Sequence, residues 1–160
     1  MGGPALIDGE YHEETNNFKP CKFEVNGLVY SSPENYFQAI KAANEEDREY
    51  VRKEGKTGLN SWSLGGTIKL RSDWEEVKVD EMYNGNRACF EQNPDSIKDL
   101  IRTKGPIKFA GSTPFWNFWN GNIMERLRAE FRNEGEDQKI GQTINEFMAK
   151  YRLDPKSFKY

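Results

Sequence analysis

Tyr30-Ser31-Ser32-Pro33-Glu34-Asn35-Tyr36-Phe37-Gln38-Ala39-Ile40-Lys41 is the stretch from which the fold reads outward. Ser before Pro and an acid starts a helix. The hydroxyl caps free N–H groups, Pro occupies a turn that needs no N–H, and a carboxylate sits at the positive end. Tyr36, Phe37, Ile40 and Ala43 then recur at helical spacing and form an apolar side. Glu34, Gln38 and Lys41 stand at i, i+4 and i+7, so a carboxylate, an amide and an ammonium share one face and can line a polar pocket. A plainer reading also fits: in Ser31-x-x-Glu34 the acid closes a capping box and does nothing else. Spacing alone leaves both open.

Upstream, residues 22–30 predict a hairpin, with Phe23 and Val25 alternating before an Asn26-Gly27 turn and Leu28 and Tyr30 after it. Phe18, in Asn17-Phe18-Lys19-Pro20, reads by itself as a satellite of the core. Residues 1–16, polar and Gly-rich, read as loose.

Downstream, a helix is expected over Asp47–Lys53, a glycine-rich connection over 62–66 and a brief extended piece over 67–70. Ser72-Asp73-Trp74-Glu75 opens another helix, and Arg71 just before it pairs a cation with free N–H groups, a plausible phosphate site. Pro94-Asp95-Ser96 opens a further helix. Residues 103–122 read as a long loop, and a structureless stretch of about 20 residues in a small domain is more often functional or disordered than neutral. Its Phe115-Trp116-Asn117-Phe118-Trp119-Asn120 interleaves aromatics with amides, which suits stacking on a flat ring; plugging the core is the competing reading. Helices over 122–132 and 137–151 complete a mainly α fold with a small β-hairpin, an α+β single domain.

Composition narrows the chemistry. The chain has 160 residues, enough for one domain. Only 36% are hydrophobic, but 13% are aromatic, and aromatic burial can supply a core. The net charge of −3 makes any polyanion site local. His12 is the one histidine, so triads, His-rich zinc sites and His-based acid–base pairs lack residues; no metal or cofactor is expected. Cys21 and Cys89 form no CxxC and read as two separate thiols in a reducing, intracellular setting, cytoplasm or nucleus. No apolar run approaches the ~18 residues of a membrane span.

Together these segments resemble the NADAR (NAD- and ADP-ribose-associated) family, the YbiA-like proteins. The resemblance runs over about residues 16–132, through Asn17-Phe18-x-Pro20, Tyr30-x-Ser32-x-Glu34-x-Tyr36-Phe37-Gln38-Ala39-x-Lys41, Leu64-Gly65 and Leu70-Arg71-x-Asp73-Trp74-x-x-Val77-Lys78. It continues through Met82, Phe90-x-Gln92-Asn93-Pro94 and a Trp/Asn/Gly stretch before a helix with a late Arg128. Many members carry an acid before the tryptophans and an Asp followed by Trp-Gly. Here Phe109-Ala110-Gly111-Ser112 and Phe115-Trp116-Asn117 carry none, Leu64-Gly65 is followed by Gly66 in place of Arg, and Cys89 replaces a frequent Lys.

The resemblance implies a compact YbiA-like domain over 16–152, between a loose segment 1–15 and a tail 153–160. It implies an enzyme that cleaves an N-glycosidic bond, with Glu34 as the catalytic carboxylate. Asn17, Phe18, Lys41 and Arg71 would surround ribose and phosphates, beside Gln38 on the Glu34 face. Trp116 and Trp119 would flank the ligand's rings, with Asn120 near the ribose. The expected ligand is ADP-ribose on guanine in DNA, bound by a monomer. Hydrolysis of a phosphoribosylamino-pyrimidine of riboflavin synthesis is the alternative enzyme. A non-catalytic ADP-ribose-binding module is the reading that the absent acids favour.

Overall fold

The computed structural model describes residues 2–159. Two antiparallel hairpins, β1(Ala5–Ile7)–β2(Glu10–His12) and β3(Phe23–Val25)–β4(Leu28–Tyr30), precede seven helices. These are α1(Pro33–Ile40), α2(Glu45–Glu54), α3(Gly58–Gly65), α4(Trp74–Glu91), α5(Pro94–Ile101), α6(Pro114–Arg132) and α7(Asp137–Leu153). The mainly helical α+β class is as expected.

The β3–β4 register pairs Phe23 with Tyr30 and Val25 with Leu28. Asn26 and Gly27 both take positive φ, as a two-residue turn matching strand twist requires. Residues 1–16 read as loose, but the described residues 2–16 are not. Asp8-Gly9 makes an equivalent turn, and β1 buries Ala5 and Ile7 completely. Ala5 N also donates to Thr15 Oγ1 at 2.8 Å. His12, expected near a frayed end, is buried with Nδ1 2.8 Å from Glu14 Oε1. The tail is tied down too: Phe158 packs its ring 5.1 Å from that of Trp119.

One core joins α4, α6 and α7 around Met82, Phe90, Trp119, Ile123, Leu127 and Met148. A second, under the β3–β4 hairpin, joins Phe23, Tyr30, Tyr36 and Val51. Helix α1 lies between them. Phe37 faces Trp74 and Trp116 at ring distances of 5.0 and 5.3 Å, while Tyr36 meets Tyr30 edge-on at 5.1 Å. Aromatic pairs on two sides therefore fix α1's rotation, and with it the direction of its polar face.

The two cysteines are not separate thiols. Cys21 and Cys89 form a disulfide across 68 positions, joining the segment before β3 to α4. The argument for a reducing compartment rested on separate thiols, and this bond removes it. Among the described residues, no helix is long and apolar enough to cross a membrane.

Candidate active site

The capping-box reading of Glu34 fails. Ser32, not Ser31, is the N-cap, and its Oγ accepts from Asn35 N at 3.0 Å. Asn35 Oδ1 in turn accepts from Ser31 N at 3.2 Å. Ser32 and Asn35 thus close the helix start, with Asn35 bonding the residue before the cap, and the Glu34 carboxylate takes no part in these bonds. Asn35 Nδ2 also reaches Val51 O at 3.1 Å and Ser61 Oγ at 3.1 Å, tying α1 to α2 and α3.

Released from capping, Glu34 is 0% exposed. Its Oε1 accepts from Gln38 Nε2 at 2.6 Å, and its backbone N donates to Asn17 O at 2.9 Å. Burying a carboxylate is costly, so such a group is kept for a reason other than packing. Gln38 is buried as well, and its Oε1 has no hydrogen-bond partner among the described residues. It has room only because α3 ends in glycine: a Cβ on Gly65 would lie 2.0 Å from that oxygen.

Lys41, one turn on, is half-buried. Burial holds its ammonium below the ordinary lysine value of 10.5, against the raising influence of Glu34. Among the described residues no carboxylate lies within ion-pair distance of it. Arg71 lies beside it through the backbone, its N donating to Lys41 O at 2.9 Å. Its guanidinium is engaged: Nε and Nη2 donate to Asp73 at 2.6 and 3.0 Å, and Nη1 to Glu81 at 3.3 Å. Asp73 first and Glu81 after it raise the Arg71 pKa. Among the described residues Lys41 is therefore a cation on this face with no ion-pair partner, whereas Arg71 is paired with Asp73 and Glu81.

Asn17 enters from the segment before β3, buried, with Nδ2 3.4 Å from Met82 Sδ. Phe18 is held by α3, since a Cβ on Gly58 would come within 2.6 Å of its Cα. Phe18 is more than a satellite of the core. It lines a cavity of about 400 Å³ with Leu59 and Trp62 of α3, the 111–113 segment and the backbone of Gly2 and Gly3. Residues 62–66 had read as a connection and instead complete α3. Thr57 caps this helix, accepting from Asn60 N at 3.0 Å.

The stretch 103–122 is corrected as well. Helix α6 begins at Pro114, inside the expected loop, with Thr113 Oγ1 accepting from Trp116 N at 3.3 Å. On this helix Trp119 is fully buried in the main core against Phe118, Tyr151 and Phe158, with Nε1 unpartnered among the described residues. Asn120 is buried beside it in sequence. Neither lines the cavity beside Phe18. Trp116, nearly buried, approaches α1 through Phe37. Arg128 is structural: Nη1 donates to Thr103 Oγ1 and Gly105 O, both at 2.9 Å.

The chain is similar in sequence and fold to known proteins. The N-glycosidase YbiA of Shigella boydii is 31% identical over 117 residues, which cover 70% of this chain and 72% of that protein. The chloroplastic riboflavin biosynthesis protein PYRR of Zea mays is 29% identical over 142 residues, 74% of this chain and 23% of that one. The NMR structure of the Escherichia coli protein YbiA superposes with a TM-score of 0.60 over 88% of this chain and 80% of its own, at 24% identity, a likeness of fold. The model of the NADAR domain matches residues 8–148, and the chain belongs to that family.

Proposed function

We propose that this protein is an N-glycosidase that hydrolyses a ribosyl C–N bond, acting as a monomer to remove ADP-ribose from guanine in DNA. One observation carries the reading: Glu34 is a fully buried carboxylate with no capping duty, held by Gln38, about two helical turns from the Lys41 ammonium, which has no ion-pair partner among the described residues. Cleavage passes through an oxocarbenium-like state. A fixed anion stabilises the charge developing at the anomeric carbon and accepts a proton from the attacking water. The water oxygen bonds to that carbon, the C–N bond breaks, and the proton held by Glu34 passes to the departing amine. Lys41 takes a ligand phosphate, Arg71 and Asn17 border the ribose phosphate region, and Phe18 flanks the sugar. Glu34 has no exposed surface, so its cover must shift to admit substrate.

The similarity to N-glycosidases of Shigella and of Nostoc punctiforme supports the reaction class. The maize relative's name favours a second reading, hydrolysis of a phosphoribosylamino-pyrimidine; both substrates carry the phosphate that suits Lys41. The test is incubation of the purified protein with ADP-ribosylated DNA and, separately, with the phosphoribosylamino-pyrimidine. Released ADP-ribose supports the first reading and released ribose phosphate the second. Tight binding without turnover of either would replace both with the ADP-ribose-binding module.

A further inference from the structure

Trp62 and Leu59 are 48% and 63% exposed, on adjacent turns of α3, and both line the cavity that holds Phe18. A large apolar pair left in water beside a cavity of ligand size is not explained by packing. The opposite face of α3 is engaged. Gly58 lies on the Phe18 backbone, Ser61 Oγ accepts from Asn35, and Gly65 is pressed against Gln38, the residue that holds the Glu34 carboxylate. The face that fixes α3 to α1 therefore fixes Trp62 relative to Glu34. Ser112 also lines the cavity, and its Oγ is buried without a hydrogen-bond partner among the described residues, a polar group suited to the edge of a heterocycle.

From this placement we infer that the Phe18–Leu59–Trp62 cavity is the subsite for the leaving heteroaromatic base, with the Trp62 indole as its stacking face and Ser112 at its edge. The inference rests on the glycosidase reading for the identity of the ring, but its geometry does not depend on turnover. It moves the stacking role from Trp119, which is committed to the core, to a tryptophan on another helix. A flat π-face accepts any base, so this subsite supplies affinity and orientation, and the Ser112 edge supplies discrimination.

The experiment uses a feature of the composition. Of four tryptophans, Trp74, Trp116 and Trp119 are buried, so Trp62 is the solvent-exposed emitter. Guanosine is titrated while tryptophan fluorescence and melting temperature are followed in wild type, Trp62→Ala and Trp62→Phe. Stacking predicts quenching in the wild type that is lost in both variants. By calorimetry, guanosine affinity should fall about tenfold to a hundredfold in Trp62→Ala and recover to within a few-fold in Trp62→Phe, with melting unchanged. Quenching with no turnover of any glycoside would leave the subsite standing and overturn the enzyme reading. Turnover with no quenching, or equal guanosine affinity in wild type and Trp62→Ala, would overturn the subsite and leave the enzyme.

Discussion

Gln38 donates from Nε2 to Glu34 Oε1 at 2.6 Å, one turn away on α1, and both side chains are sealed from solvent. The bond fixes which way the carboxylate points. It also couples the carboxylate to α3, because Gly65 is what lets Gln38 lie flat there. Glu34→Gln keeps the shape and removes the charge. Turnover should fall by at least a thousandfold while ligand binding stays within about tenfold, since the charge matters chiefly in the transition state. Wild-type turnover in Glu34→Gln, measured on ADP-ribosylated DNA, would end the catalytic assignment.

Lys41 carries a pH signature. Burial lowers its pKa from 10.5, and a phosphate beside it would raise the pKa again. The sign follows: anion affinity is full below the lowered pKa and declines as pH rises through it, starting below 10.5. Lys41→Met should weaken ADP-ribose by about 1.5–3 kcal/mol and flatten that decline. Arg71→Ala, whose charge is already spent on Asp73 and Glu81, should cost less and leave the pH profile intact. Calorimetry between pH 7 and 10 checks both. Equal affinity in wild type and Lys41→Met would take the lysine out of the site.

The Cys21–Cys89 bond joins the segment that carries Asn17 and Phe18 to α4. Closing a loop of 68 positions restrains the unfolded chain, so the double variant Cys21→Ser/Cys89→Ser should lose about 2–4 kcal/mol in a urea titration. Reducing agent should lower the wild-type midpoint toward that of the variant and leave the variant unchanged. An unchanged wild-type midpoint under reduction would mean that the bond adds no stability.

Asn35 is the polar junction of α1, α2 and α3, bonding Ser31 N, Val51 O and Ser61 Oγ. Asn35→Ala leaves these buried groups unpaired and should cost about 2–4 kcal/mol, well above the ~1 kcal/mol of losing the Ser32 cap in Ser32→Ala. Denaturant midpoints for the two variants test the ranking.

Much of this was legible in the sequence for local reasons. The Ser-Ser-Pro-Glu start, the Asn26-Gly27 turn and the helix starts at Ser72-Asp73-Trp74 and Pro94-Asp95-Ser96 are signals carried by neighbouring residues, and each produced its element. The Asp8-Gly9 turn and the Thr113-Pro114 start of α6 were equally local signals, obscured by surrounding glycine and asparagine. Periodicity also puts Glu34, Gln38 and Lys41 on one face.

What periodicity could not decide was which of two serines would cap α1, and so whether Glu34 was spent. That depended on Asn35 finding partners on α2 and α3, contacts 16 and 26 positions away. The same limit applied to the aromatics. An indole in a polar stretch has the same local sequence whether it faces the core or the solvent. Only the packing of α7 and Phe158 over Trp119, and the backing of α3 by Gly58 and Gly65, buried one tryptophan and left Trp62 at the cavity. The disulfide is of the same kind: two cysteines 68 positions apart share no local signal, and only the docking of the Cys21 segment on α4 brings their sulfurs together.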